Sequence, residues 1–412
     1  MSNTTVVIIV AAIVVVLAVI AFFIIRRQRY KAALKSRGWS FDSSPALETV
    51  LDHQAPPFGL GFERKADEGV TGGTRAGIPF RVFEYTCSGG GPKFDQRLAS
   101  LQLPLALPDL FVSSSGVRSG VRLPAVDIDA RLQVRAADPG YARAALTSAT
   151  LNAIATFGQA GYRVDLSIDG RQLVAVGAPK QPDELEAYLE ALAPIVQTID
   201  AGRLSGYAGT PRPPGFGFYG RPDWVYVGRD DSLITAYGLT QVGFGHSTEK
   251  LVRATNDGLP LDAFIHRWKT QRTETYTDSN GNTQTRTVTE QHSETVCVVN
   301  MPFAFPLISV GGGWGGQRVR FESEEFNDRF KIKTKDPKFT YDVIHPRTME
   351  FLMAADPPDF RIEDHMMRFS LGSHDTLLIG FCADFAHDFF SRVPSFVWKN
   401  LGIDQPEFRR SA

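Results

Sequence analysis

Leu103-Pro104-Leu105-Ala106-Leu107-Pro108 and, 198 residues later, Met301-Pro302-Phe303-Ala304-Phe305-Pro306 are one phrase written twice. Proline cannot donate to a β ladder, so a proline-spaced apolar run is an unusual thing to repeat by chance. Sliding the chain by the same 198 positions extends the match downstream. Val112 falls on Val310 and Val121-Arg122 on Val319-Arg320. Asp127-Ile128-Asp129-Ala130-Arg131-Leu132-Gln133-Val134 lies over Glu325-Phe326-Asn327-Asp328-Arg329-Phe330-Lys331-Ile332. Asp138-Pro139-Gly140-Tyr141 lies over Asp336-Pro337-Lys338-Phe339, and the same register carries on to Arg163-Val164-Asp165 over Arg361-Ile362-Glu363. The replacements are like for like in size and polarity over about sixty positions, which reads as an internal duplication.

Upstream the frame changes. Gly77-Ile78-Pro79 and Phe83 match Gly258-Leu259-Pro260 and Phe264 at a spacing of 181, so the second copy carries 17 extra residues. Thr273 to Thr289 reads TETYTDSNGNTQTRTVT, a polar, β-branched run about Asn280-Gly281. Asn-Gly tolerates the positive φ of a two-residue type I′ turn, so the insertion is expected to be a β-hairpin near 273–289. Between the copies, Ser205 to Pro222 is dense in Pro and Gly and reads as a linker.

Within a copy, Phe80–Tyr85, Gln96–Leu103 and Leu132–Arg135 read as strands. Asp138-Pro139 and Asp336-Pro337 read as helix starts, Asp capping the first turn and Pro occupying a position whose N–H is unpaired anyway. Tyr162–Ile168 and Gln172–Val176 flank Asp169-Gly170 and suggest a hairpin. Leu185, Tyr188, Leu189, Leu192 and Val196 form the core stripe of a closing helix, whose counterpart is the aromatic segment 384–397. The fold class is therefore α+β: an N-terminal transmembrane helix, then two tandem duplicated α+β domains with mixed or antiparallel sheets. The expected boundaries are 4–25 for the span, 26–40 for a basic juxtamembrane segment, 41–204 for copy one, 205–222 for the linker and 223–412 for copy two.

The span rests on Thr4 to Ile25, about 22 uncharged residues and so about 33 Å of helix. Arg26, Arg27, Arg29, Lys31, Lys35 and Arg37 follow it, and the positive-inside rule holds such a cluster in the cytosol. The expectation is a cell-membrane protein, single-pass, with its C-terminal body cytoplasmic. Cys87, Cys297 and Cys382 are too few and too scattered for a disulfide framework, which agrees with that side of the membrane. With 44 Lys+Arg against 45 Asp+Glu there is no basic field to recruit nucleic acid, and none is expected as a partner.

Candidate sites are few. Gly311 to Gly316, with Trp314 inside it, is a glycine-rich loop, but no Gly-Lys-Ser/Thr follows to open a helix around a phosphate. Arg329, Lys331, Lys333 and Lys335 alternate with Phe330, Ile332 and Thr334, so a strand there would present four cations on one face to an anionic ligand. Seven of the eight histidines follow the linker, yet none sits four residues from another as in a helical metal motif. No signature of a serine hydrolase, zinc peptidase or nucleotide-binding loop is present in a suitable setting, so no catalytic residue, cofactor or metal is assigned. The hairpin, with Asn280 and Gly281 at its turn, is the better candidate for binding, because a ribbon polar on both faces must project or be covered.

Phe321-Glu322-Ser323-Glu324-Glu325-Phe326-Asn327-Asp328-Arg329-Phe330-Lys331-Ile332, then Asp336 and Pro346-Arg347-Thr348-Met349-Glu350, resembles an uncharacterised family of membrane-anchored bacterial domains of unknown function. The shared motif is E-x-x-E-F, a short strand, an aspartate and a Pro-x-x-Met-Glu helix. Copy one departs from it at Asp127-Ile128 and at Ser148. The resemblance implies a membrane anchor and no activity. The sequence thus points first to a non-enzymatic, membrane-tethered scaffold with an unidentified protein partner. Its alternatives are a hydrolase with an unrecognised site in copy two, and a module for lipid or another anionic ligand on the basic strand.

Overall fold

The structure, a computed structural model, describes residues 3–116, 118, 120–210, 215–256, 258–277, 283–311 and 315–406, with side chains from Ile13 onward except Thr49 and Thr277. The chain divides into two compact units. Unit 1 comprises Met1–Gly59, Glu63–Ser88 and Pro92–Gly215; unit 2 comprises Leu60–Phe62, Gly89–Gly91 and Phe216–Ala412.

Unit 1 runs α1 (Asn3–Ser36), β1 (Ser40–Asp42), β2 (Glu63–Gly73), β3 (Pro79–Ser88), β4 (Phe94–Ser113), β5 (Ala125–Val126), β6 (Gln133–Ala136), α2 (Pro139–Ala145), α3 (Ser148–Gln159), β7 (Asp165–Val176), α4 (Pro182–Gln197) and α5 (Ala201–Leu204). Its seven-stranded sheet has the order β1-β2-β3-β4-β6-β5, with β7 also on β4, and every pair is antiparallel. The proline phrase sits where β4 changes neighbours. β3 follows β4 as far as Leu101 and β6 takes over at Leu110, so Pro104 and Pro108 occupy the stretch where that edge owes no hydrogen bond. The helices close one side of the sheet, with Tyr141, Phe157, Leu185, Tyr188, Leu189 and Leu192 in its core.

Unit 2 repeats the order as β8 (Val225–Gly228), α6 (Ser232–Ala236), β9 (Phe244–Asn256), β10 (Leu259–Thr277), β11 (Thr283–Val310), β12 (Gln317–Val319), α7 (Glu324–Arg329), β13 (Ile332–Thr334), α8 (Pro337–Val343), α9 (Pro346–Ala355), β14 (Phe360–Leu371), α10 (Thr376–Ser391) and α11 (Ser395–Asn400). Its sheet reads β12-β13-β11-β10-β9-β8 with β14 on β11, the same path. Even the irregularities recur. Glu68 (φ 49°) and Lys250 (φ 53°) are the left-handed residues of bulges opposite Phe83 and Phe264. Gly170 (φ 58°) and Asp364 (φ 52°) mark the same bend in β7 and β14. The α+β class and the duplication into two similar halves, each with an antiparallel sheet, therefore stand.

Three details of the expected register do not. Leu110 faces Ile168 while Ile308 faces Ile362, so beyond α3 and α9 the copies are offset by 194 rather than 198. Arg163-Val164-Asp165 is thus not the counterpart of Arg361-Ile362-Glu363; α9 is a shorter helix than α3 and the connection after it has contracted. Val126 opposite Val134 answers to Val319 opposite Ile332, which leaves Val121-Arg122 outside the strand. Asp169-Gly170 is no hairpin: β7 runs through it as one bent strand along β4, because Gly170 supplies the left-handed kink without reversing the chain.

The boundary between the two units, at Gly215 and Phe216, falls inside the segment 205–222. Tyr207 packs against Tyr141 in unit 1, and Phe216 and Phe218 join Trp224 and Tyr226 in the core of unit 2. At the other end of the chain, α1 continues without a break through the basic segment into unit 1, where Tyr30 packs edge to face on Phe41, Leu34 is fully buried and Arg37 pairs with Asp183 and Glu186. Among the described residues no helix is long and apolar enough to cross a membrane.

Candidate interaction surface

The 17-residue insertion is a two-stranded ribbon growing out of the sheet of unit 2. In copy one the β3–β4 pairing ends at Cys87 opposite Phe94; in copy two the equivalent pair is Trp268 opposite His292, and pairing continues to Thr277 opposite Thr283. β9 accompanies β10 only to Lys269, and β14 meets β11 only from Thr295 on. Between those points and the turn both backbone edges lack a neighbouring strand among the described residues. Residues 278–282, hence Asn280 and Gly281, lie outside the described residues. The flanking register still decides one matter: Thr277 faces Thr283, whereas a two-residue Asn280-Gly281 turn would set it against Gln284.

That register separates the two faces. One carries Gln271, Thr273 and Thr275 opposite Thr289, Thr287 and Thr285, all exposed, with no ionisable group among them. The other carries the charges, spent on one another: Arg272 pairs with Glu274 at 2.8 Å and Glu290 at 2.6 Å, and Arg286 pairs with Glu274 at 2.9 Å while lying over Tyr276. Each exposed pair adds little stability, but together they leave the ribbon with no unbalanced charge field.

Below the charged rungs, the same face becomes a column of rings. His246, His266, Trp268 and His292 stack in sequence with centroids 5.3, 4.8 and 5.3 Å apart. His266 is buried. It lies 3.0 Å from His246 Nδ1 through Nε2 and 3.1 Å from Glu294 through Nδ1, and Arg368 donates to the same carboxylate at 2.9 Å. Burial pushes the His266 pKa below the usual imidazole value, against the opposing pull of Glu294. His292 shares a 2.7 Å hydrogen bond with Thr270, and His246 Nε2 is buried without a partner. Farther into the sheet, the face turns apolar under α6 with Phe264, Val296 and Val298. The column therefore ties a polar ribbon to a packed core and holds its base rigid.

The other sequence candidates are not brought together. Trp314 lies outside the described residues. Arg329 is not on a strand: Ser323 caps Phe326 N–H, Glu324 and Glu325 favour the first turn, and Arg329 ends helix α7, where it pairs with Asp356. Only Ile332–Thr334 is β, and Lys335 beyond it is neutralised by Glu363 at 3.0 Å. The row of four cations is broken at both ends, leaving Lys331 and Lys333. Among the described residues no group of three or more His, Cys, Asp or Glu is placed to hold a metal ion. The three cysteines are buried and form no disulfide.

Sequence reasoning missed His246, His266 and His292 as a unit because it sought them at helical spacing. Across a hairpin, the useful spacing is set by the register. Trp268 and His292 become neighbours only once the turn is known to hold an odd number of residues.

Fold and surface together define a duplicated α+β protein whose second half carries a β-ribbon with no neighbouring strand on its outer edges among the described residues. No protein family and no curated protein matches the chain. Among solved structures, the crystal structure of the mycobacterial trehalose monomycolate transport factor A, TtfA, is similar over 45% of this chain and 97% of that one, with 13% identity and a TM-score of 0.33. A likeness of that degree says nothing about activity, ligand or partner.

Proposed function

We propose that this is a single-pass, membrane-anchored interaction protein whose second half receives an extended segment of a partner protein along the ribbon β10–β11. The observation that carries the reading is the ribbon itself: paired far beyond its sheet, with two backbone edges open among the described residues and no equivalent in copy one. Open edges are templates for added strands, and natural proteins usually blunt them. Here the charges are self-paired on one face, and beyond Lys269 at its base the other is hydroxyl and amide, so recognition falls mainly to backbone hydrogen bonds and shape rather than to charge attraction.

Support for the anchor comes from α1. Its described large apolar side chains from Ile13 to Ile25 are exposed, from 49% at Val19 to 62% at Val15. They make up about 20 Å of helix, to which the apolar residues Val6 to Ala12 of the sequence add the remainder of a bilayer core of about 30 Å. The basic cluster that follows favours a cytosolic body.

The reading is tested by placing a photo-crosslinking amino acid at Gln271 or Gln291 of the full-length protein in its native membranes. One stoichiometric adduct is expected from these positions. It should be absent when Thr273–Thr289 is replaced by a short Asn-Gly turn and the probe is kept at the shortened arms. Labelling at neither position, or labelling that survives the replacement, would reject the ribbon as the docking element.

A further inference from the structure

The two long edges of the ribbon are not equivalent. Along β11, the lane beside the strand opens past Thr295, the last residue opposite β14, and holds no neighbouring strand among the described residues as far as Thr283. Over this stretch β11 pairs with β10 without a bulge and contains neither proline nor lysine, so the usual devices for blunting an exposed edge are missing.

The side chains along this edge run in an order that complements itself. The strand reads Thr285-Arg286-Thr287-Val288-Thr289-Glu290-Gln291, with Val288 at the centre. Residues directly opposite in an antiparallel pair share a face, so two identical strands related by a twofold axis must be centred on a residue. Centring on Val288 sets Arg286 against Glu290 of the second copy and Glu290 against its Arg286. Thr287 then faces Thr289, and Thr285 faces Gln291. Centring on Arg286 or Glu290 would oppose like charges, and centring on Thr287 or Thr289 sets neither charge against its opposite. The Val288 register also fits the space. Thr283 of the second copy falls opposite Ser293, short of Thr295, where Leu371 of β14 takes the lane. The β10 edge has no such solution. Its charges match only about Thr273, with Arg272 against Glu274, and Thr277 would then need the place opposite Lys269 that Phe244 holds.

We propose that β11 is the docking edge and that its occupant is β11 of a second copy of this chain, in a twofold pairing centred on Val288 that joins two ribbons into one four-stranded antiparallel sheet. The inference rests on the ribbon being the docking element and names its partner. Backbone hydrogen bonds hold the two strands together, and the Arg286–Glu290 pairs fix their register. Within one ribbon Arg286 already pairs with Glu274 and Glu290 with Arg272, so the second copy extends these contacts into a row of alternating charge across the joined sheet.

The test uses the full-length protein in its native membranes, with a cysteine at Thr287 or Thr289, both exposed. Thr287→Cys or Thr289→Cys alone sets its two thiols on a diagonal, whereas the two variants expressed together set them directly opposite. A mild oxidant should give at least about tenfold more disulfide-linked dimer from the mixture than from either variant alone. A photo-crosslinking amino acid at Gln291 supplies a second readout, and its adduct should be a dimer of this chain. That dimer should be lost in Arg286→Glu and in Glu290→Arg, and regained when the two are expressed together, a rescue that a merely misfolded ribbon would not show. Equal yields from single and mixed cysteine variants, or no rescue on mixing the charge variants, would overturn the proposal. So would an adduct from Gln271 alone or a Gln291 adduct with a different protein, and these leave the ribbon standing as the docking element. Labelling at neither Gln271 nor Gln291 would overturn both.

Discussion

Arg118 has its guanidinium donors committed inside unit 1: to Asp165 Oδ1 at 2.5 Å, the Asp165 carbonyl at 2.8 Å, and Ser167 Oγ and the Pro56 carbonyl at 2.9 Å each. Both partners of this ion pair are nearly without solvent contact, so removing one strands a desolvated charge on the other. Arg118→Met should therefore lower the unfolding free energy of unit 1 by about 3–5 kcal/mol, and the Arg118→Met/Asp165→Leu double variant should lose less than the sum of the two singles. Urea titrations of the four proteins check this; additive losses would mean that the pair does not act as a unit. His374 gives unit 2 a pH dependence. Half-buried, and donating to the Lys250 carbonyl at 3.0 Å, it has its pKa pushed down to about 4 by desolvation. In the unfolded chain it titrates near about 6.5, so below that pH the unfolded state binds the proton first. Its contribution is thus undiminished above about pH 6.5 and is lost as the pH falls toward about 4, by about 2–3 kcal/mol in all. His374→Gln should flatten the urea midpoint against pH over that window, and an unchanged slope would contradict the burial argument.

At the scale of elements, the ribbon β10–β11 is an appendage and not a support. Its exposed faces bury almost no apolar area, and its ion pairs are the exposed kind that contribute little. Replacing Thr273–Thr289 with a short turn should shift the unfolding free energy of unit 2 by less than about 1 kcal/mol, measured by denaturant titration. A larger loss would mean that the ribbon packs on the body. The ribbon's existence was legible in the sequence from the change of frame between Gly77-Ile78-Pro79 and Gly258-Leu259-Pro260, because duplicated copies supply their own alignment. Its faces were not, since a one-residue difference in the turn decides which side chains meet. The proline phrase was legible as a repeat; that it marks the place where a long strand changes neighbours requires the sheet. Arg329 reads in sequence as the first cation of a strand although Ser323-Glu324-Glu325-Phe326 before it carries a capping serine and first-turn acids. The alternation of Arg329, Lys331, Lys333 and Lys335 outweighed that local signal, and alternation over so few residues does not distinguish a strand from a helix end followed by a turn.

At the scale of the whole molecule, the proposed anchor and the first domain share one helix. The apolar stretch runs directly into Tyr30, Leu34 and Arg37, which are packed into or paired with unit 1, and no glycine or proline interrupts α1. A helix without a break transmits orientation, whereas a flexible tether does not. If residues 4–25 cross the bilayer, unit 1 is held at the membrane surface in a set attitude, and the basic side chains Arg26, Arg27 and Arg29 lie at the level of the lipid head groups. Two results are then expected together. Full-length protein should stay with membranes through alkaline carbonate extraction while a chain beginning at Arg26 is released, and reporter fusions at the C-terminus should be active only on the cytosolic side. Inserting Gly-Pro-Gly after Gln28 should leave the protein in the membrane and the unfolding of unit 1 within about 1 kcal/mol, since Tyr30 to Ser36 remain helical beyond the break. It should also raise the hydrogen-exchange rate of residues 26–30, which the unbroken helix protects. Release of the uncut protein by carbonate would refute the anchor itself; retention with no gain in exchange after the insertion would show that unit 1 is oriented by something other than α1.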